Sequence, residues 1–297
     1  MLVSFIILNY NSSTLTINCV TSIRRHILPE SYEIIVVDNR SRQEEQDRLK
    51  DLDQPGNHVI YSNHNTGFGT GNMIGACYAK GDYLCFLNSD VILVEDCITP
   101  LCQYLSEHNE VGCITPMQKK PDGQAARSFR HDSGIIHELI GDGIREKLFP
   151  KTFPSRDRFM TRDNTPISVM QINGSFMLLP TSKFWAVGGF DTNLFLYFEE
   201  YDLCKRLSFH GWTSVVHPQY QFLHIHGAST ATVSQLAQRE HYISKIYIYR
   251  KYHHPLLAFI YQTIICVEFI FKPSKWYLLP TVSKANIIKS SMRHTMI

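Results

Sequence analysis

Over the first 120 residues, short apolar runs alternate with polar segments in a repeating order. Residues 3–8 form an apolar run that ends in Asn9-Tyr10-Asn11-Ser12-Ser13, and residues 14–25 follow with apolar positions at Leu15, Val20 and Ile23. Residues 33–38 repeat the pattern through Ile34-Ile35-Val36-Val37 and end in Asp38-Asn39, ahead of a charged segment that reaches Asp51. A third run, 58–61, ends in Asn63, His64 and Asn65, and a fourth, 83–87, lies between Gly81-Asp82 and Asn88-Ser89-Asp90. Short runs that are apolar at nearly every position predict strands buried on both faces. Helices are expected between them, at 14–25, up to Asp51, and at 73–80. This alternation predicts an α/β fold with a parallel or mostly parallel sheet and right-handed crossovers.

In an open α/β sheet the ligand crevice lies beyond the carboxyl ends of the strands. Asn9, Tyr10, Asn11, Asp38, Asn65 and Asn88-Ser89-Asp90 all fall there. Ser and Asp are also favoured N-caps, so residues 88–90 have a second reading as the cap of a following helix. Thr66-Gly67-Phe-Gly69-Thr-Gly71-Asn72 opens the helix at 73–80, and glycines at a helix start let backbone N–H groups approach a phosphate. G-x-G after a strand also suggests a dinucleotide fingerprint, with Asp90 about 20 residues downstream as the ribose acid. Asn72 stands where the third glycine belongs, and the first strand's turn has no glycine. Both count against a nicotinamide-dependent enzyme.

Beyond Asp96, residues 97–108 read as a helix and 111–117 as a strand. Residues 118–168 are polar and irregular and carry Arg127, Arg130, Arg145, Arg156, Arg158 and Arg162; an interruption this long is either functional or a solvated insertion. Residues 169–179 read as a strand broken by Asn173-Gly174-Ser175, where a glycine marks close approach by a ligand or another backbone. A short helix follows at 180–187. After the aromatic run at 195–198, Leu203 and Leu207, and Asp202 and Arg206, sit four residues apart, which predicts a helix with Glu199 and Glu200 in its first turn. Acids there suit the helix dipole, and their place directly after the aromatic run also fits a catalytic pair. Residues 212–217 read as another strand, and in the extended segment at 222–227 His224 and His226 share one face.

The 297 residues are 44% hydrophobic, ample for a core. Eight cysteines contain no C-x-x-C pair, which predicts reduced structural thiols and argues against a zinc site or a disulfide framework. The first eight residues are too short for a signal peptide and lack its basic start, so the chain is expected to stay in the cytosol. A net charge of +2 hides an asymmetry: from Arg239 onward nine Lys/Arg face two acids. Residues 255–271 are strongly apolar but interrupted by Gln262 and Glu268, about the shortest stretch able to span a bilayer. Basic residues on both flanks do not favour a crossing, so an interfacial helix on an anionic membrane surface is expected, with packing against the body of the protein as the alternative.

Five motifs in order, Ile7-Leu-Asn-Tyr-Asn-Ser12, Ile35-Val-Val-Asp38-Asn39, Asn65-Thr-Gly-Phe-Gly-Thr-Gly-Asn72, Phe86-Leu-Asn-Ser-Asp90 and Leu196-Tyr-Phe-Glu-Glu-Tyr-Asp-Leu-Cys204, resemble those of inverting family 2 glycosyltransferases of the GT-A fold. Within them the chain is most similar to bacterial rhamnosyltransferases that build O-antigen and other surface polysaccharides. The resemblance implies a Rossmann-like domain over residues 1–230, with a nucleotide-binding half (1–117) and an acceptor-binding half (118–230), and leaves 231–297 as a basic, apolar helical tail. It implies that Asp38 reads the base, that Asn9, Tyr10, Asn11, Asn65, Gly67, Gly69, Asn72, Asn88 and Ser89 line the nucleotide-sugar pocket, and that Asn173, Gly174 and Ser175 face the acceptor. Asp90 is the implied ligand for Mg2+ or Mn2+, completed by His224 or His226. Asn88 replaces the first acid of the usual Asp-x-Asp. Glu200, one methylene longer than the family's usual Asp, is the favoured general base, with Glu199 the alternative, and Asp202 is read as structural. The implied reaction takes a sugar, L-rhamnose, from a dTDP- or UDP-linked donor to a lipid-linked saccharide, at the cytoplasmic face of the bacterial inner membrane. A non-catalytic sugar-nucleotide-binding subunit is the competing reading, and no nucleic-acid partner is expected.

Overall fold

The structure is a computed structural model that describes residues 1–126, 129–130, 165–225 and 235–284. Most of the arginine-rich stretch and His226 therefore lie outside the described residues. One nine-stranded sheet has the order β3-β2-β1-β4-β10-β6-β11-β5, with β8 also on β11. Its strands are β1 (Val3–Asn9), β2 (Tyr32–Asp38), β3 (Asn57–Tyr61), β4 (Tyr83–Asn88), β5 (Val91–Leu93), β6 (Val111–Lys119), β8 (Ile167–Val169), β10 (Phe176–Pro180) and β11 (Thr213–His224). The short β7 (Phe129–Arg130) and β9 (Gln171–Ile172) pair with each other. Six strands of the sheet share one direction, and β5, β8 and β10 run against it. Helices are α1 (Ser13–His26), α2 (Gln43–Leu49), α3 (Gly67–Tyr78), α4 (Ile98–Glu107), α5 (Thr181–Ala186), α6 (Glu199–Phe209), α7 (Gln235–Tyr252), α8 (Pro255–Ile270) and α9 (Leu279–Ser283).

The apolar runs are continuous because the sheet is covered twice, and the period of two along each strand divides every run between two cores. Val3, Phe5 and Ile7, with Ile34, Val36, Cys85 and Leu87, pack under α1 and α4. Ile6, Leu84 and Phe86 point the other way, to Ala76 of α3, Phe184 of α5, and Leu203 and Leu207 of α6. Register sets the chemistry: Asn9 lies beside Asp38, and Leu8 beside Asn88, so the polar ends of β1, β2 and β4 come out on one edge.

Several local expectations change. Residues 88–90 do not cap a helix, since β5 follows them. The cap of α4 is Asp96, whose Oδ1 accepts from Ile98 N and Thr99 N at 3.0 Å. The glycine cluster is not a loop ahead of α3 but its first two turns. The runs expected at 212–217 and 222–227 join in one strand, β11, which starts at Thr213 and ends at His224, with a register shift between His217 and Gln221. The strand expected at 169–179 divides into the end of β8, β9 and, beyond 173–175, β10, which runs against the main direction of the sheet.

The described part of the tail packs against the body. Ile248 of α7 packs with Leu194 and Tyr201, and Ser244 Oγ donates to the Leu196 carbonyl at 2.7 Å. The face of α8 with Tyr261, Ile265 and Phe269 packs on Ile243, Ile246 and Tyr249 of α7. Its opposite face, with Leu256, Phe259, Ile260, Ile264, Val267 and Ile270, is exposed. Among the described residues no helix is long and apolar enough to cross a membrane.

Candidate active site

Asp38 ends β2 fully buried, and its carboxylate ties the floor of the crevice together. Its Oδ1 accepts from Asn9 Nδ2 at 2.8 Å, and its Oδ2 from Ser41 N at 3.0 Å and Gln46 Nε2 at 2.9 Å. Asn9 in turn accepts from Thr16 Oγ1 and Ser12 Oγ, at 2.7 and 3.2 Å. Asn11, with φ of 52°, accepts from Arg42 N, while Tyr10 stands exposed at the rim. Strand termini leave backbone groups unpaired, and here these short polar side chains satisfy them and fix the turn.

Asn39 does the same for the entry to α3. Its Oδ1 accepts from Thr66 N and Thr66 Oγ1 at 2.8 and 2.9 Å, and its Nδ2 donates to Asn65 Oδ1 at 2.8 Å. Gly67 adopts φ of +81°, and a Cβ there would lie 2.1 Å from the Phe195 carbonyl oxygen, the atom that accepts from Phe68 N at 2.7 Å. Gly69 sits under Glu199, and Gly71 and Gly75 sit on Leu8 and Ile6 of β1. Close approach of chain to chain thus accounts for all four glycines. Asn72 is buried, donating to the Phe68 carbonyl at 3.0 Å, while its Oδ1 accepts nothing among the described residues.

Asp90 and His224, 134 residues apart, meet where β4 and β11 end. His224 Nε2 lies 2.9 Å from Asp90 Oδ1, and His224 Nδ1 lies 3.1 Å from Gln118 Nε2. Ser175 Oγ donates to Gln118 Oε1 at 3.2 Å, and its carbonyl accepts from Asn88 N. Ser89 Oγ bridges to Ser12 Oγ at 3.1 Å. Among the described residues no three His, Cys, Asp or Glu side chains form a closed metal cage. One carboxylate and one imidazole nevertheless fit Mg2+ or Mn2+ of the kind that keeps waters and takes its remaining oxygens from a substrate diphosphate.

The two glutamates at the start of α6 occupy different environments. Tyr197 and Phe198 precede them with φ of 73° and 72°, a conformation that costs an ordinary side chain roughly 1–2 kcal/mol per residue. Glu199 is 2% exposed, and its Oε1 accepts no hydrogen bond from the described residues. Burial, then the charges of Glu200 and Glu240, push its carboxyl well above the usual carboxylate range, against the pull of the backbone N–H groups of Glu199 and Tyr197. Glu200 is half-buried and accepts from Gln171 Nε2 at 3.2 Å; Gly174 lies close, a Cβ on it falling 3.9 Å from Glu200 Cβ. Asn173, Gly174 and Ser175 therefore lie between the glutamates and the Asp90–His224 pair. Asp202 is fully buried and holds Arg206 at 2.7 Å, as its spacing predicts, and also Lys251 at 2.5 Å and Tyr252 at 2.6 Å from α7. Lys251 reaches on to Asp191 at 2.7 Å.

Sequence reasoning missed Asn39, Ser41, Gln46, Gln118, Gln171 and Lys251. Asn39 was legible as the neighbour of Asp38; the others lie in segments whose local pattern carries no sign of the crevice.

The model of the family described as Glycosyl transferase family 2 matches residues 4–188. An N-acetylglucosaminyl-diphospho-decaprenol L-rhamnosyltransferase of Mycobacterium tuberculosis (strain ATCC 25618 / H37Rv) is 31% identical over 153 residues, 50% of this chain and 48% of that protein. The chain thus spans about half the length of that relative. Rhamnosyltransferase WbbL of Escherichia coli (strain K12) is 30% identical over 207 residues, 66% of this chain and 73% of that protein. The structure of GalNAc-T7 with UDP, GalNAc and Mn2+ superposes with a TM-score of 0.62 at 16% identity, over 84% of this chain and 47% of that one, a likeness of fold.

Proposed function

The chain belongs to glycosyl transferase family 2, and from that premise we propose that it moves L-rhamnose, with inversion, from a dTDP-linked donor to a lipid-linked saccharide in surface-polysaccharide assembly. The sugar and the lipid carrier are inferred from the relatives' names. The observation that carries the reading is the convergence on one edge of the sheet of three groups distant in sequence: the Asn9–Asp38 floor, the Asp90–His224 pair and the Glu199–Glu200 start of α6.

Inversion is displacement at the anomeric carbon, so the acceptor hydroxyl must give up a proton on the face away from the diphosphate. Glu200 is the base. It is accessible, and Gln171 holds one of its oxygens. Glu199 is unsuited, because its carboxyl is buried out of reach of an acceptor hydroxyl, where burial and the charge of Glu200 raise its pKa well above the usual carboxylate range; it acts instead as a packing element between Gly69 and the start of α6. Asp90 and His224 would hold Mg2+ or Mn2+. Such an ion, when bound, neutralises the charge that grows on the departing diphosphate. Asp38 shapes the nucleotide pocket from below, and Ser89 and Asn88 position the turn that carries Asp90. The exposed face of α8 rests on the anionic cytoplasmic face of the membrane where the acceptor is anchored.

The test is a panel of nucleotide sugars assayed for release of the nucleoside diphosphate in the presence of a lipid-linked acceptor. Release from dTDP-rhamnose alone, lost on chelation and in Asp90→Ala, is expected. Release from a UDP-sugar in preference would overturn the donor assignment, and undiminished turnover in excess chelator would overturn the cation site.

A further inference from the structure

We propose that Gln118 and Ser175 form a reversible relay that sets the tautomer of His224 and lets it change from a hydrogen-bond donor toward Asp90 into a ligand for a divalent cation. The inference rests on the reading of Asp90 and His224 as the cation site.

All four groups are out of water: Gln118, Ser175, His224 and Asp90 are 0, 3, 6 and 7% exposed. They come from four places, the ends of β6 and β11, the turn before β10 and the turn after β4; Gln118 pairs in register with Phe222, two residues before His224 on the same face of β11. A neutral imidazole carries one proton, on one nitrogen or the other. In the structure Gln118 Nε2 donates to His224 Nδ1 at 3.1 Å. The proton is then on Nε2, where it is donated to Asp90 Oδ1 at 2.9 Å.

A nitrogen that ligates a metal has no proton. If a cation comes between Asp90 and Nε2, the imidazole proton must move to Nδ1, and Nδ1–H needs an acceptor, because a buried donor left without one is costly. A half-turn of the Gln118 amide supplies it by exchanging Oε1 for Nε2 opposite the ring. The amide nitrogen then faces Ser175 Oγ, which now donates to Gln118 Oε1 at 3.2 Å and after the turn accepts from Nε2. A hydroxyl serves either way. Both ring nitrogens and the Gln118 amide keep a partner in either state, and no proton is gained or lost overall. A glutamine meets this requirement; a lysine would hold one state only, and an apolar residue would support neither. Partners of this kind behind a metal-bound histidine typically change metal affinity 10–100-fold.

The chain is tested with two probes. Nitrogen-15 NMR of the histidine rings is expected to show His224 protonated on Nε2 alone, and on Nδ1 with Mg2+ and dTDP. Mn2+ affinity in the presence of dTDP, read from the electron paramagnetic resonance of the free ion, is expected to fall about 10–100-fold in Gln118→Met. Gln118→Glu, an acceptor only, should keep Nδ1 protonated even without cation, a signature that packing alone would not produce. Wild-type Mn2+ affinity in Gln118→Met, or one tautomer with and without cation, overturns the relay. Should Gln118→Met fail to fold, the tautomers of wild type and Gln118→Glu decide the question. Undiminished Mn2+ binding by Asp90→Ala would overturn the cation site itself, an outcome separate from either.

Discussion

Replacing Gly67 by alanine should damage both stability and turnover, for reasons that can be separated. The first is conformational: φ of +81° costs an L side chain about 1–2 kcal/mol. The second is steric. The new Cβ would lie 2.1 Å from the Phe195 carbonyl oxygen and 2.8 Å from its carbonyl carbon, whereas contact distance is about 3.5 Å, so the 194–198 loop must retreat by more than about 1 Å. That retreat breaks the 2.7 Å bond from Phe68 N to Phe195 O, a loss of about 1 kcal/mol, and overpacking adds about 1–3 kcal/mol. The expected total is about 3–6 kcal/mol. Gly56, at φ of +84° with nothing within 4 Å of a built Cβ, is the control, and Gly56→Ala should show the conformational part alone. Because the displaced loop leads straight into Glu199 and Glu200, a shift of about 1 Å should also lower turnover about 100-fold. Urea denaturation of both variants and turnover by nucleotide release measure the two effects. A Gly67→Ala protein no less stable than Gly56→Ala, turning over like wild type, would refute the claim that this contact positions the catalytic carboxylates.

Glu200→Gln should lower turnover 10²–10⁴-fold with donor affinity retained, and Glu199→Gln should keep most of the activity; calorimetry and nucleotide release distinguish them, and the reverse pattern would transfer the role of base to Glu199. The same buried carboxyl sets a pH dependence. Since its pKa is raised on folding, the stability it contributes is full below the ordinary carboxylate range and falls as pH rises toward the folded value, by up to about 1.4 kcal/mol per pH unit. Denaturation curves at pH 5 and pH 8 should therefore differ less in Glu199→Gln than in wild type. Lys251→Met, which removes the charged tie from α7 to Asp191 and Asp202 and leaves only the Tyr247 and Tyr252 hydroxyls, should cost about 1.5–3 kcal/mol and speed hydrogen exchange in α7. A double variant Phe259→Glu, Val267→Glu should lose sedimentation with phosphatidylglycerol vesicles while turnover on a soluble acceptor analogue stays at the wild-type level; unchanged sedimentation would exclude this face of α8 as the membrane contact.

How much of this was legible along the chain depended on the range of the interaction. Strands β1, β2 and β4 could be read directly because a strand covered on both faces must be apolar throughout, and its polar ends mark where the cover stops; β3, at the end of the sheet, has no buried residue, so the double cover expected for 58–61 does not hold there. The Asp202–Arg206 pair was legible because helical spacing alone brings those side chains together. The five motifs, being local, pointed to the family that the comparisons bear out. What the sequence could not decide was anything set by contact between distant segments. Glu199 and Glu200 are the same residue type in adjacent positions, and only the packing of α3 and α7 around α6 makes one a buried acid and leaves the other open. The glycines looked like a phosphate cradle, yet their neighbours are Leu8, Ile6, Phe195 and Glu199, contacts that no local pattern encodes. Gln118 and His224 lie 106 residues apart, and nothing near either predicts the other. The tail, basic and apolar by composition, is joined to the body by Lys251 and Tyr252 on a buried Asp202. Local periodicity reports which face of an element is covered, while only the tertiary fold determines what covers it, and that identity sets the protonation and orientation of the groups in the site.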